Sequence, residues 1–141
     1  GSGTMLYERG FYPHHSLTGA DINMTAVEAA KENSRYAHVH PQFHYIDCLK
    51  FTAKKYDEII ANMPFGLRVG NHSKNERLYK AYFRILPDIL TDEGLAVLYT
   101  HEKQLTEQLV KECGKFDILK RATFTAGGLY PAVYVLRKNA R

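Results

Sequence analysis

An alternation constrains this chain most. Short runs of β-type residues trade places with longer amphipathic helical runs from one end to the other. Thr4–Arg9 predicts the first turns of a helix, and Leu17–Asp21 a short strand ending in an acid. Thr25 and Glu28 have the spacing of a capping box, which starts a helix running to about Arg35. Phe43–Cys48 predicts a second strand and Tyr56–Asn62 a third. A loop over Met63–His72 carries Pro64, Gly66 and Gly70, and Ser73 with Glu76 forms a second capping box. The helix behind it places Tyr79, Tyr82, Phe83, Leu86 and Ile89 on one face. Pro87 is expected to kink that helix or end its regular part early, because proline has no N–H to donate. Gly94–Thr100 predicts an apolar strand and Lys103–Cys113 a helix. Phe116–Phe124 and Ala132–Arg137, separated by Gly127-Gly128, predict an antiparallel strand pair.

Strands that alternate with helices form an α/β fold, with a mostly parallel sheet covered on both faces. Its 141 residues suit one domain with a sizeable core. No stretch approaches the roughly 20 apolar residues of a membrane span, and no charged-then-apolar leader opens the chain. Neither a membrane partner nor secretion is expected. The two cysteines, Cys48 and Cys113, stand in no paired motif and read as free thiols in a reducing cytoplasm. A net charge of +4 permits a polyanionic partner without demanding one. The seven histidines lack metal-ligand spacing and read as scattered surface or loop residues, so no metal is expected.

Open parallel sheets bind ligands beyond the carboxyl ends of their strands. Four places in this chain meet that description. Gly1-Ser2-Gly3-Thr4 runs straight into a helix, where glycine lets a ligand approach the backbone; a residual tag accounts equally well for Gly1-Ser2. Asp21 ends a strand and can accept both hydroxyls of a ribose, or serve as a turn aspartate before a helix. Asp47 can accept from an adenine amino group while the Cys48 N–H donates to a ring nitrogen; a turn role is the alternative. Asn62-Met63-Pro64-Phe65-Gly66 follows the third strand directly. There the Asn62 amide and the Met63 carbonyl can hold an exocyclic amine with its lone pair aimed at a methyl donor. Phe65 can stack on an extruded base. A proline turn with Phe65 as a core plug is the other reading.

Taken in order, GSGTMLYE, GADINMTAVEAAKEN, FHYIDCLKF and YDEIIANMPFG resemble the Rossmann-like amino methyltransferases. The likeness is greatest to the THUMP-associated RNA guanine-N2 methyltransferases, and RVGNHSKNERLYKAYF and TAGGLYPAVYVLRK extend it over nearly the whole chain. The resemblance implies S-adenosylmethionine as cofactor, bound through Gly1, Gly3, Thr4, Asp21, Ile22, Asp47, Cys48 and Asn62. It implies Asn62, Pro64 and Phe65 as the catalytic set, an RNA substrate (tRNA ahead of rRNA) and a cytoplasmic enzyme. The fold it implies is a class I methyltransferase sheet.

Two departures from the family pattern are visible. The strand with an Asp-Pro-x-Cys run that precedes the cofactor loop in the family is not in this chain, and neither is a THUMP domain. Residues 1–141 are therefore expected to be a methyltransferase catalytic domain lacking its first, central strand. Exposed sheet edges would then invite self-association or a companion chain. The same loop also serves adenine-N6 DNA methyltransferases and protein glutamine methyltransferases, and a catalytically inactive interaction module is the remaining alternative.

Overall fold

A computed structural model describes residues 1–65 and 71–140. The chain divides into two compact units, Gly1–Phe51 and Thr52–Arg141, and each is described by itself.

The first unit holds α1 (Thr4–Arg9), β1 (Thr18–Asp21), α2 (Met24–Asn33) and β2 (Gln42–Tyr45). β1 and β2 pair in parallel, with Thr18 opposite Gln42 and Asp21 opposite Tyr45. Val27 and Ala30 of α2 are buried, and the Tyr7 hydroxyl donates to the Ala30 carbonyl at 2.5 Å. The predicted capping box on Thr25 does not form. Asn23 takes the cap, its side chain accepting from the Ala26 N–H at 3.2 Å, and α2 begins at Met24. Asparagine is among the strongest N-caps, and here it stands two residues before the threonine. α2 ends at Asn33, short of the expected Arg35, and a 3-10 turn over Ser34–Tyr36 follows. β2 stops at Tyr45 rather than Cys48 because Asp47 turns the chain. Its carboxylate accepts from the Leu49 N–H at 2.9 Å and caps a 3-10 turn over Cys48–Lys50.

The second unit holds β3 (Tyr56–Asn62), α3 (Asn71–Ile89), β4 (Leu90–Thr100), α4 (Lys103–Cys113), β5 (Phe116–Thr123) and β6 (Ala132–Lys138). Its sheet has the order β3-β4-β6-β5. β3 and β4 are parallel, while β4–β6 and β5–β6 are antiparallel. The expected C-terminal antiparallel pair is present, and β6 inserts between β4 and β5, so the sheet is mixed. One face is sealed by residues that stand directly opposite across β4 and β6: Ala96 with Leu136, Leu98 with Tyr134, Thr100 with Ala132. All six are buried. So are Tyr79, Tyr82, Phe83, Leu86 and Ile89, the helix face read from spacing, together with Leu105, Leu109 and Val110 of α4. Gly114 ends α4 at φ 64°, a left-handed conformation that favours glycine.

α3 departs from expectation at both ends. Ser73 lies inside the helix, and Glu76 pairs with Lys80 at 2.6 Å instead of closing a capping box. At the other end the helix runs through Pro87 to Ile89. A proline there leaves the carbonyl four residues earlier without its usual N–H partner. That carbonyl belongs to Phe83, and the Cys113 thiol at the end of α4 donates to it at 3.7 Å. The neighbouring helix thus supplies the donor that proline removes. β4 begins at Leu90, earlier than the expected Gly94, and its pairing with β3 shifts register between Tyr56 and Glu58. The shift loops residues out of β4, and Glu93 adopts φ 61° there.

Leu98→Ala is expected to cost about 2–5 kcal/mol, because Leu98 is 0% exposed and a leucine truncated in a packed core leaves a cavity. A urea unfolding midpoint compared with the unmodified chain checks this.

Candidate active site

In the first unit the sequence-derived residues gather at the carboxyl end of the β1–β2 pair. Asp21 is the last residue of β1, and its backbone carbonyl accepts from the Ile46 N–H at 3.0 Å, carrying the pairing one step past β2. Asp47 follows at once. The Gly1 amine binds the Asp21 carboxylate, whose other oxygen accepts from the Asn23 N–H at 2.8 Å. Partial burial pushes the Asp21 carboxyl up. The Gly1 amine and the Asn23 and Ile22 N–H groups outweigh it and hold the carboxyl below its ordinary value.

Gly3 caps α1 at φ 85°, and a Cβ there would meet the Tyr7 ring at 2.9 Å and Phe43 at 3.1 Å. Both the backbone and the space therefore require glycine. The Ser2 and Thr4 hydroxyls lie 2.9 Å apart, and the Asn33 amide donates to the Ser2 carbonyl at 3.2 Å. Ile22, beside Asp21, is 68% exposed, a branched apolar side chain held at the surface. Cys48 is exposed, yet partial desolvation of its thiol, with the nearby Asp47 and Asp21 charges adding to it, holds the thiol above its ordinary value.

In the second unit the Asn62–Phe65 stretch leaves the carboxyl end of β3. Asn62 stands opposite Tyr99 of β4, and the Met63 N–H donates to the Tyr99 carbonyl at 2.8 Å, extending the parallel pairing. Strand alternation leaves Asn62 exposed and turns Met63 inward, 5% exposed. Pro64 presents its carbonyl to the interior. It accepts from the Tyr79 hydroxyl at 2.9 Å and the Asn75 amide at 3.3 Å. Tyr79 also meets the Thr100 hydroxyl at 2.6 Å, and the Glu102 N–H donates to that hydroxyl at 2.9 Å. Burial pushes the Tyr79 phenol up to about 12, with Thr100 opposing and the Glu102 charge adding.

Phe65 is 45% exposed, which does not fit a core plug. One face of it packs on His101, ring centroids 4.4 Å apart, and Tyr99 meets His101 edge-on at 5.8 Å. Glu102 also binds His72 at 3.0 Å. Its hydrogen bond, then its charge, raises the His72 imidazole above its ordinary value. Gly66 and Gly70 of the expected loop lie outside the described residues.

Sequence reasoning missed Asn75, Tyr79, Thr100 and His101 as parts of this site. Tyr79 was legible only as core. Thr100 and His101 close β4 just as Asn62 closes β3, so the strand-end rule, applied to β4 too, points to them.

Among the described residues no helix is long and apolar enough to cross a membrane, and no group of three or more His, Cys, Asp or Glu could hold a metal ion.

A parallel strand pair with acids at its carboxyl end, and a second parallel pair ending in Asn-Met-Pro-Phe, define a Rossmann-like methyltransferase architecture. Residues 1–129 match the family described as "RMKL-like, methyltransferase domain" (UPF0020), and the chain belongs to it. The chain is 25% identical over 126 residues to the tRNA (guanine(6)-N2)-methyltransferase of Methanocaldococcus jannaschii, covering 86% of this chain and 33% of that protein. It is 28% identical over 105 residues to the release factor glutamine methyltransferase of Streptococcus pneumoniae, covering 73% of this chain and 36% of that protein. The crystal structure of TrmN from Thermus thermophilus superimposes with a TM-score of 0.84 at 25% identity, over 98% of this chain and 41% of that one. The chain thus spans well under half the length of each of these proteins.

Because Asp47 adds to the elevation of the Cys48 thiol, alkylation by iodoacetamide is expected to be slower than for free cysteine at pH 8 and to rise only at higher pH. Asp47→Asn is expected to shift the rate profile toward lower pH, as read by mass spectrometry of the Cys48 peptide.

Proposed function

We propose that this chain is the catalytic part of an RNA methyltransferase that transfers a methyl group to guanine N2, with tRNA ahead of rRNA as substrate. The observation that carries the reading is the Asn62–Phe65 loop. It leaves the carboxyl end of β3 with Asn62 and Phe65 exposed and Pro64 tied inward. The archaeal relative's activity supports the choice of substrate.

The donor is S-adenosylmethionine, which supplies an electrophilic methyl group when bound. The first unit fits it. A carboxylate offers about four lone-pair sites, so Asp21 keeps acceptor capacity for a ribose beyond the Gly1 and Asn23 donors. The exposed Ile22 offers an apolar surface for a purine face, and Asp47 with Cys48 lies at the same strand end. Gly1, Gly3 and Thr4 complete this set within the first unit.

The target nitrogen is a weak nucleophile because its lone pair is delocalised into the ring. The Asn62 side-chain oxygen and the Met63 carbonyl accept its two N–H groups, which favours a pyramidal nitrogen. The Pro64 carbonyl takes no part, since Tyr79 and Asn75 occupy it. Pro64 contributes the loop's shape. Phe65, backed by His101 and partly exposed, is the ring that stacks on the extruded base. The protein's task is positioning.

A second reading, transfer to a glutamine amide of a protein, rests on the streptococcal relative. Radiolabelled cofactor with a panel of tRNA, rRNA, DNA and release-factor substrates separates the two. Asn62→Ala is expected to lower methyl transfer by about 10² or more while cofactor affinity holds; near-normal turnover on RNA would remove Asn62 from the site. Asp21→Ala is expected to weaken S-adenosylhomocysteine binding by about 1.5–3 kcal/mol in calorimetric titration, the scale of a hydrogen bond to a charged acceptor.

A further inference from the structure

The Asn62–Phe65 stretch carries a proline and exposes Asn62 and Phe65, yet it is anchored from below by groups withdrawn from solvent. Tyr79 is 0% exposed, Thr100 0% and Asn75 7%. They come from the middle of α3 and the end of β4, the two elements that pack the core of this unit. Their hydrogen bonds form a chain: the Glu102 N–H to the Thr100 hydroxyl, that hydroxyl to the Tyr79 phenol, and the phenol to the Pro64 carbonyl. The Asn75 amide closes on the same carbonyl from one turn earlier on the helix. A carbonyl oxygen has two lone pairs, so these donors saturate it.

A tyrosine hydroxyl in a packed core is costly unless bonded, and a phenylalanine would fill the same volume without that demand. Packing alone therefore does not call for the hydroxyl of Tyr79. What it achieves is to fix the peptide between Pro64 and Phe65. One residue upstream is the Met63 carbonyl, and one downstream is the Phe65 ring. Without that anchor Pro64 and the residues on either side of it are free to shift together.

We propose that Tyr79 is a positioning residue for methyl transfer, its hydroxyl clamping the Pro64 carbonyl, with Asn75 as second donor, so that the Met63 carbonyl and the Phe65 ring are held in reactive orientation. The inference rests on the reading of the Asn62–Phe65 loop as the amine-binding element. Tyr79 touches neither substrate nor cofactor. It sets the loop's conformation from inside, and its effect belongs in kcat rather than in cofactor affinity.

The test uses the complete protein with three variants: Tyr79→Phe, Thr100→Val, and the two combined. Tyr79→Phe is expected to lower kcat about 10- to 100-fold, since small misplacements in a positioned site cost on this scale. Affinity for S-adenosylhomocysteine should stay within about twofold. Amide hydrogen exchange at Met63 and Phe65 should speed up about tenfold or more, while amides in the β4–β6 ladder hold their protection. The combined variant removes both members of the buried hydroxyl pair but leaves the Glu102 N–H without that acceptor, so it should recover part of the lost thermal stability, without recovering kcat or loop protection.

A Tyr79→Phe protein with kcat and loop exchange within about twofold of the unmodified one overturns the clamp. So does a combined variant that regains kcat together with its melting temperature, because the hydroxyl would then act only through stability. If the unmodified protein transfers no methyl group to RNA, the functional reading fails, and the exchange measurement still decides whether Tyr79 fixes the loop.

Discussion

The packing of the second unit depends on the ladder between β4 and β6. Six residues meet there as directly opposed pairs on one buried face, and they carry no charge and little polarity. Cross-strand neighbours at this spacing are the unit of sheet stabilisation, and a slip of one residue would expose every one of them. With that register set, the carboxyl end of β4 is fixed, and with it Thr100, the pivot between Tyr79 and α4. β3 pairs with the other side of β4, so Asn62 inherits its place from Tyr99. The exposed Asn62–Phe65 loop is therefore located by core residues of strands and helices rather than by contacts of its own.

Asp21 and Asn62 illustrate two kinds of strand end. Asp21 closes β1, and its carboxylate accepts from the Asn23 N–H two residues on. Asn62 closes β3 with its side chain exposed, and its neighbours are locked instead. In the proposed function the first serves as an acceptor for hydroxyl groups and the second meets an incoming base.

Much of this was legible in the residues. Tyr56–Asn62, Lys103–Cys113 and Thr4–Arg9 emerge as the pattern drew them, because each has a clean period and a clear stop. The buried face of α3 was readable from spacing alone. The capping boxes were not. Asn23 outcompetes Thr25, and Ser73 is swallowed by a helix that starts earlier, choices that depend on where the preceding chain arrives. Of the proposed site, the strand-end residues stand out in the sequence because parallel sheets bind ligands beyond the carboxyl ends of their strands. The clamp beneath the loop does not, because a tyrosine at helical spacing gives one signal, burial, and its hydroxyl partner lies 21 residues away on another element.

Pro87 and Cys113 carry a consequence of a different kind. A helix ordinarily closes its own hydrogen-bond ladder, which makes it indifferent to the identity of its neighbour's last residue. Here the ladder is open at Phe83, and the thiol that fills the gap belongs to α4. The two positions are thereby coupled through a carbonyl that neither residue owns. Substitutions at one should be tolerated differently depending on the other, so that drift at either site is constrained as a pair. An oxidant that converts the thiol to a bulkier acid would strike at the seam between α3 and α4. A single imino acid in α3 thus makes the chemistry of a distant sulfur part of how the two helices stay together.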